Sequence, residues 1–94
     1  MRALFVGGLV DNSELDLDPG APPAHYPPDT GGGRSRYHLH HVGMHAGDRQ
    51  DDIAYAVYAA PEMADAEIRR IAAERDYARR FEATPTPPPV AAPL

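Results

Sequence analysis

Apolar and polar positions change their spacing several times along this chain, and each spacing predicts a different element. The run RALFVGGLV, residues 2 to 10, is short and apolar and contains Phe5 and Val6. It reads as a buried strand, with Gly7 and Gly8 marking a bulge or a close approach of backbone. A turn signal at Asp11 and Asn12 comes next, and then Glu14, Leu15, Asp16, Leu17 and Asp18 alternate strictly. Period two puts both leucines on one face and three carboxylates on the other, the pattern of a charged edge strand closing a hairpin.

Residues 19 to 33 carry five prolines and four glycines, so neither a helix nor a central strand fits there. A long loop crossing the surface of the domain is expected. Two β-type segments come after it, RYHLHHVGMH (36 to 45) and DDIAYAVYAA (51 to 60), separated by the polar stretch AGDRQ. In the second, Ile53, Tyr55, Val57 and Ala59 share one face and Ala54, Ala56 and Tyr58 the other, which suits a central strand covered on both sides.

Pro61 suits a helix start, and Glu62, Asp65 and Glu67 complement the positive end of its dipole. At 100° per residue Ala64, Ile68, Ile71 and Ala72 line one face, whereas Tyr77 and Phe81 fall roughly opposite. The helix is therefore expected to end near Arg75 or Asp76, with YARRFEA continuing as an extended segment. A longer helix whose aromatics meet the sheet or a partner is the alternative. Residues 84 to 94, TPTPPPVAAPL, have little to bury and read as a disordered Pro/Ala tail.

These elements define the expected fold: a single α+β domain over residues 1 to 83, with a small antiparallel sheet of three to four strands packed on one C-terminal helix. Expected core positions are Leu4, Phe5, Val6, Leu15, Leu17, Leu39, Val42, Ile53, Tyr55, Val57, Ile68, Ile71 and Phe81. A chain of 94 residues supports one core of this kind.

Composition narrows the chemistry. Fourteen acidic residues outnumber nine basic ones, all arginine, for a formal charge of -5, which argues against a general nucleic-acid binder. With no cysteine there is no disulfide, thiol nucleophile or thiolate metal site, and a reducing cytoplasm fits. The apolar run from Ala3 to Val10 is too short for a membrane span or a signal sequence, so no membrane partner is expected.

Four of the five histidines lie between residues 38 and 45. In a strand His38 and His40 project from the same face, and His45 at the strand end completes a candidate zinc-type metal set. Other near-motifs fail. DLDPG places its glycine too early for a calcium loop, DTG at 29 to 31 follows prolines instead of an apolar strand, and GGGRSR lacks the lysine and spacing of a phosphate loop. No serine has a nucleophile-elbow context, and Asp51 and Asp52, adjacent in a strand, point apart.

The proline pairs around Tyr26 would stiffen a presented aromatic, or else Tyr26 folds back as a lid over the core. The chain is thus expected to be a non-enzymatic protein-interaction module of accessory or inhibitor type. Its contacts to another protein would come from Tyr26, Pro27, Arg34 and Arg36 and from the acidic edge of Glu14, Asp16 and Asp18. The alternative is a transition-metal protein built on His38, His40 and His45, and otherwise no cofactor is expected.

Overall fold

The computed structural model describes residues 1–18, 20–26, 36–45 and 53–88. In chain order these form β1 (Arg2–Val6), β2 (Glu14–Asp16), β3 (His25–Tyr26), β4 (Tyr37–His45), β5 (Ile53–Ala59), α1 (Asp65–Glu74), α2 (Tyr77–Phe81) and β6 (Ala83–Thr86). The α+β class is as expected, but the sheet has six strands and is mixed, not three to four and antiparallel. Its order is β2-β1-β5-β4-β3, and β6 also pairs with β4.

The β1–β2 hairpin and the β4–β5 pair are antiparallel, as their patterns predict. The difference lies in the centre, where β1 runs parallel to β5, Arg2 opposite Tyr55 and Val6 opposite Ala59. Both strands are apolar on two faces, so neither can lie at an edge without leaving one apolar row in water. Beyond β4, the outer edge is shared. β3 covers Tyr37 and His38, β6 covers Val42 to His45, and the middle of the strand lies between them.

Strand β6 corrects the expectation of a structureless tail from residue 84. Thr84 and Thr86 pair with Met44 and Val42, and Pro85 opposite Gly43 is tolerated because an edge strand can spare one N–H. The remainder of that tail from residue 89 lies outside the described residues, as do Pro19 and residues 27–35 and 46–52.

Two apolar clusters pack on the two faces of the sheet. On the helix side Leu4, Val6, Tyr55, Val57 and Ala59 meet Ile68 and Tyr77, with Ile71 and Phe81 half-buried against them. On the other side Ala3, Phe5, Val42, Ala56 and Tyr58 are covered by Leu15, Leu17, Tyr26, Tyr37 and Leu39. The proline segment crosses this second face, where the Tyr58 hydroxyl donates to Pro23 O at 2.8 Å.

Helix α1 begins at Asp65, not near 61. Pro61 and Glu62 form a turn, Ala64 is still extended (ψ 149°), and Met63 packs against the helix-side core. The helix ends at Glu74, close to the expected place, but the chain then enters a second short helix and not a strand. Asp76 adopts the left-handed conformation (φ 57°), which breaks the helix phase. The turn that restarts at Tyr77 points its ring inward, so Tyr77 is 1% exposed instead of facing water.

Candidate functional site

The histidine strand departs from regular pairing at one place. Leu39 lies opposite Tyr58 and His41 opposite Val57, so His40 is an extra residue, a β-bulge, on the outer side of β4. In a regular strand His40 and His41 would face opposite ways. The bulge brings both rings together on the helix side, with Nδ1 of His40 and Nδ1 of His41 2.7 Å apart. Nε2 of His40 reaches the carboxylate of Asp65 at 2.6 Å, at the start of α1. Arg69, one turn along, donates from Nε to the other oxygen of Asp65 at 2.9 Å. The result is a continuous chain from Arg69 through Asp65 and His40 to His41.

The Asp65 carboxylate places a proton on the near nitrogen of His40, and the roles between the two rings follow the tautomer. The hydrogen bond from His40 is the main cause that holds the Asp65 carboxyl below its ordinary range, with Arg69 adding to it, so Asp65 is an acceptor only. His40 therefore donates from Nε2, and in the neutral ring its Nδ1 accepts. Nδ1 of His41 donates to His40 when that ring is neutral and accepts from it when that ring is charged. Burial is the first reason His41 stays neutral, lowering it to about 4, and the nearby His40 and Arg69 add to the effect against the opposing pull of Asp65.

His41 forms part of the wall of a cleft of about 480 Å³ between the outer part of β4, both helices and β6. Tyr55, Tyr77, Ala72, Ala73, Pro85 and Thr86 are among its other walls, and Asp65 and Arg69 lie at it too. The Tyr55 ring is wedged between Tyr77, Phe81 and the backbone of Gly43, and His41 meets it edge-on at 84°.

The expected metal set is only partly brought together. His38 pairs across from His25, and burial followed by the charges of His40 and His25 lowers its pKa. His45 stands opposite Ala83 at the far end of the strand, seven residues or roughly 23 Å from His38, and cannot share an ion with it. Among the described residues no group of three His, Cys, Asp or Glu side chains is placed to hold a metal ion.

The expected partner-binding residues are dispersed. Tyr26 is not held out. It folds back on the core, its ring 5.6 Å from Phe5 and 5.9 Å from Tyr58. The acidic edge is largely paired within the chain, Glu14 with Arg80 at 3.0 Å and Asp16 with Arg2 at 3.1 Å, while Asp18 is exposed. Arg36 is half-buried beside β4, and Pro27 and Arg34 lie outside the described residues.

A second feature is foreshadowed in part, by the glycine pair at 7 and 8 and the turn signal at Asp11 and Asn12. Between β1 and β2 the chain makes a tight turn in which Gly7 and Gly8 have φ of 81° and 71°, and Leu9 at its tip is fully exposed. A side chain at Gly8 would also strike the Tyr37 hydroxyl. That hydroxyl donates to Gly7 O and accepts from Val10 N–H at 3.1 Å. Gly7 N–H donates to Asp11 Oδ1 at 2.7 Å, and this bond is the first cause of the low pKa of Asp11. Arg75 clamps both oxygens of Asp11 at 2.9 Å. The apolar run to Val10 hid the exposed tip, because Leu9 and Val10 look like the end of a buried strand.

The fold and the site thus define a small mixed α+β protein with a buried imidazole chain and a rigid exposed turn. No protein-family model matches the chain, and no curated protein or solved structure does. Among the described residues no helix is long and apolar enough to cross a membrane.

Proposed function

We propose that this chain is a protein-interaction module whose anchor is Leu9. The observation that carries the reading is the combination of full exposure at Leu9 with a turn fixed from three directions, by Tyr37, by Asp11 and by Arg75. Burying a leucine stabilises by about 1.5–3 kcal/mol, and this fold forgoes that gain at Leu9 while holding the residue in place. A side chain presented on an ordered turn loses little further entropy when it enters a pocket, which is how interface anchors work. Val10, 42% exposed, widens the apolar tip.

The partner that fits is a protein with an apolar pocket for Leu9 and, a strand's length away, a basic surface facing the far end of β2. The chain carries a net charge of -5, and Asp16 and Asp18 lie exposed on and just after the neighbouring strand β2. Complementary charge of this kind steers association more than it strengthens it. The acidic edge accordingly keeps a supporting part in the reading, while Tyr26 leaves it and serves the core.

Leu9→Asp tests the proposal. The substitution sits in water and should change stability by no more than about 0.5 kcal/mol. A partner captured from the source cell by the parent protein should bind the variant about tenfold more weakly or worse, measured by biolayer interferometry. Equal binding by the two proteins, with matching thermal unfolding, would remove the turn from the interface.

A further inference from the structure

Strand β3 brings to β4 a histidine that spacing along the chain does not reveal. His25 lies directly opposite His38. One step along the ladder, Leu39 N–H donates to Ala24 O at 2.9 Å, so Ala24 and Leu39 are a hydrogen-bonded pair. Pairs alternate along an antiparallel ladder, which makes His25 and His38 a non-hydrogen-bonded pair. Side chains approach most closely at such pairs, with Cβ atoms about 4.5–5.5 Å apart.

Both rings stand on one face. Tyr26 and Tyr37, each adjacent in sequence to one of the two histidines, pack against Phe5 on the far side of the sheet, with ring centroids 5.6 and 5.2 Å from it. Successive side chains of a strand point to opposite faces, so His25 and His38 project from the helix side. There His38 is flanked on β5 by Ala59, whose methyl leaves room beside it. His25 is exposed and His38 half-buried. Burial first, and then the charges of His40 and His25, lower the pKa of His38, which leaves its ring neutral and able to ligate at pH 7. His40 is already engaged, one nitrogen with His41 and the other with Asp65. Among the described residues no third His, Cys, Asp or Glu joins the pair as a ligand.

We propose that His25 and His38 form a two-imidazole chelate for a divalent late first-row transition ion, of the zinc, nickel or copper kind. Imidazole suits these ions, whereas calcium and magnesium need oxygen ligands that the pair does not offer. Rings at this separation can close on one ion through bonds of about 2.0–2.1 Å. The other coordination positions are left to water, so the ion exchanges freely. Since β3 has only two residues, the chelate also fastens a short strand to its neighbour.

The test titrates the full chain with zinc chloride at about pH 7.5, where ordinary imidazoles are neutral, reading the histidine ring nitrogens by NMR. In the unaltered protein the rings of His25 and His38 should shift together and saturate at one ion per chain. By calorimetry His25→Asn and His38→Asn should each bind zinc about tenfold more weakly or worse, because the second ligation on one scaffold is intramolecular. Movement of one ring without the other would overturn the proposal. So would silence of both rings up to about 1 mM zinc, or a variant with an intact amide spectrum that binds as tightly as the parent. The titration of the unaltered protein decides the matter even where a variant fails to fold. Neither histidine belongs to the turn at Leu9, so failure of this test leaves the interaction reading standing, and the reverse holds.

Discussion

Acidification should weaken the fold through His41 before the lowered carboxyls of Asp11 and Asp65 contribute. In the unfolded chain an imidazole takes up its proton near pH 6.5, whereas in the fold His41 holds out until about 4. Above pH 6.5 the ring is neutral in both states and contributes no pH dependence. Between 6.5 and 4 the unfolded chain binds a proton that the folded chain does not, so stability falls as the pH falls. Below 4 both states are protonated and the loss levels off.

The whole shift corresponds to about 3 kcal/mol, of which about 2 kcal/mol is gone by pH 5. Asp11 and Asp65 act in the same sense but at lower pH. Their lowered pKa values stabilise the fold above about 3.8, and that part is lost only at lower pH. His38, also lowered, titrates in the same window as His41, so the measurement must be a difference. Urea unfolding at about pH 7.5, 6 and 5 on the parent and on His41→Asn isolates the contribution of the ring, since asparagine can still donate to Nδ1 of His40. The variant should start less stable but lose about 2 kcal/mol less between about pH 7.5 and 5. Parallel losses in the two proteins would refute the buried neutral ring.

Two further predictions concern the packing around the cleft. In Gly43→Ala the new methyl would strike the Tyr55 ring, which Tyr77, Phe81 and His41 prevent from moving, so thermal unfolding should show a loss of about 1–3 kcal/mol. At Asp76, Asp76→Val places a β-branched residue at φ 57° and should cost about 1–2 kcal/mol, whereas Asp76→Gly should cost nothing in the same melt.

Much of the fold was legible because local pattern governs it. The alternation of Leu15 and Leu17 pointed to the edge strand, the double-sided apolar run from Ile53 to the central one, and the phase of Ile68 and Ile71 to the face and end of the first helix. Leu4, Phe5, Val6, Val42, Tyr55, Val57 and Ile68 are all buried as expected. The parallel pairing of β1 with β5 was not legible. It joins Arg2 to Tyr55 with no turn between them to signal it, and hairpin logic sees only neighbours. Strand β6 was hidden for another reason: its prolines argue against a central strand but say nothing against a short edge beside β4.

The candidate site was least legible, and for a physical reason that has one form in two places. Periodicity assumes that every residue advances the chain by the same angle, and at His40 and Asp76 it does not. The extra residue at His40 moves His41 to the helix side, opposite Val57. Without it His41 would point to the face that holds Phe5 and Tyr58, away from Asp65. The left-handed residue at Asp76 resets the helix so that Tyr77 turns in toward Tyr55. A straight helix would carry that ring into water.

His41 and Tyr77 lie on two walls of the same cleft, so both breaks in local pattern serve one cavity. Bulges and left-handed residues each cost stability that a regular element would keep, and they persist where the surrounding packing holds them. Here the packing that holds them is Tyr55, which touches His41, Tyr77 and the side-chain-free Gly43. A tyrosine in a β-rich apolar run therefore has two parts in the fold. It fills the core on the helix side, and it keeps in register the two irregularities that form the cleft.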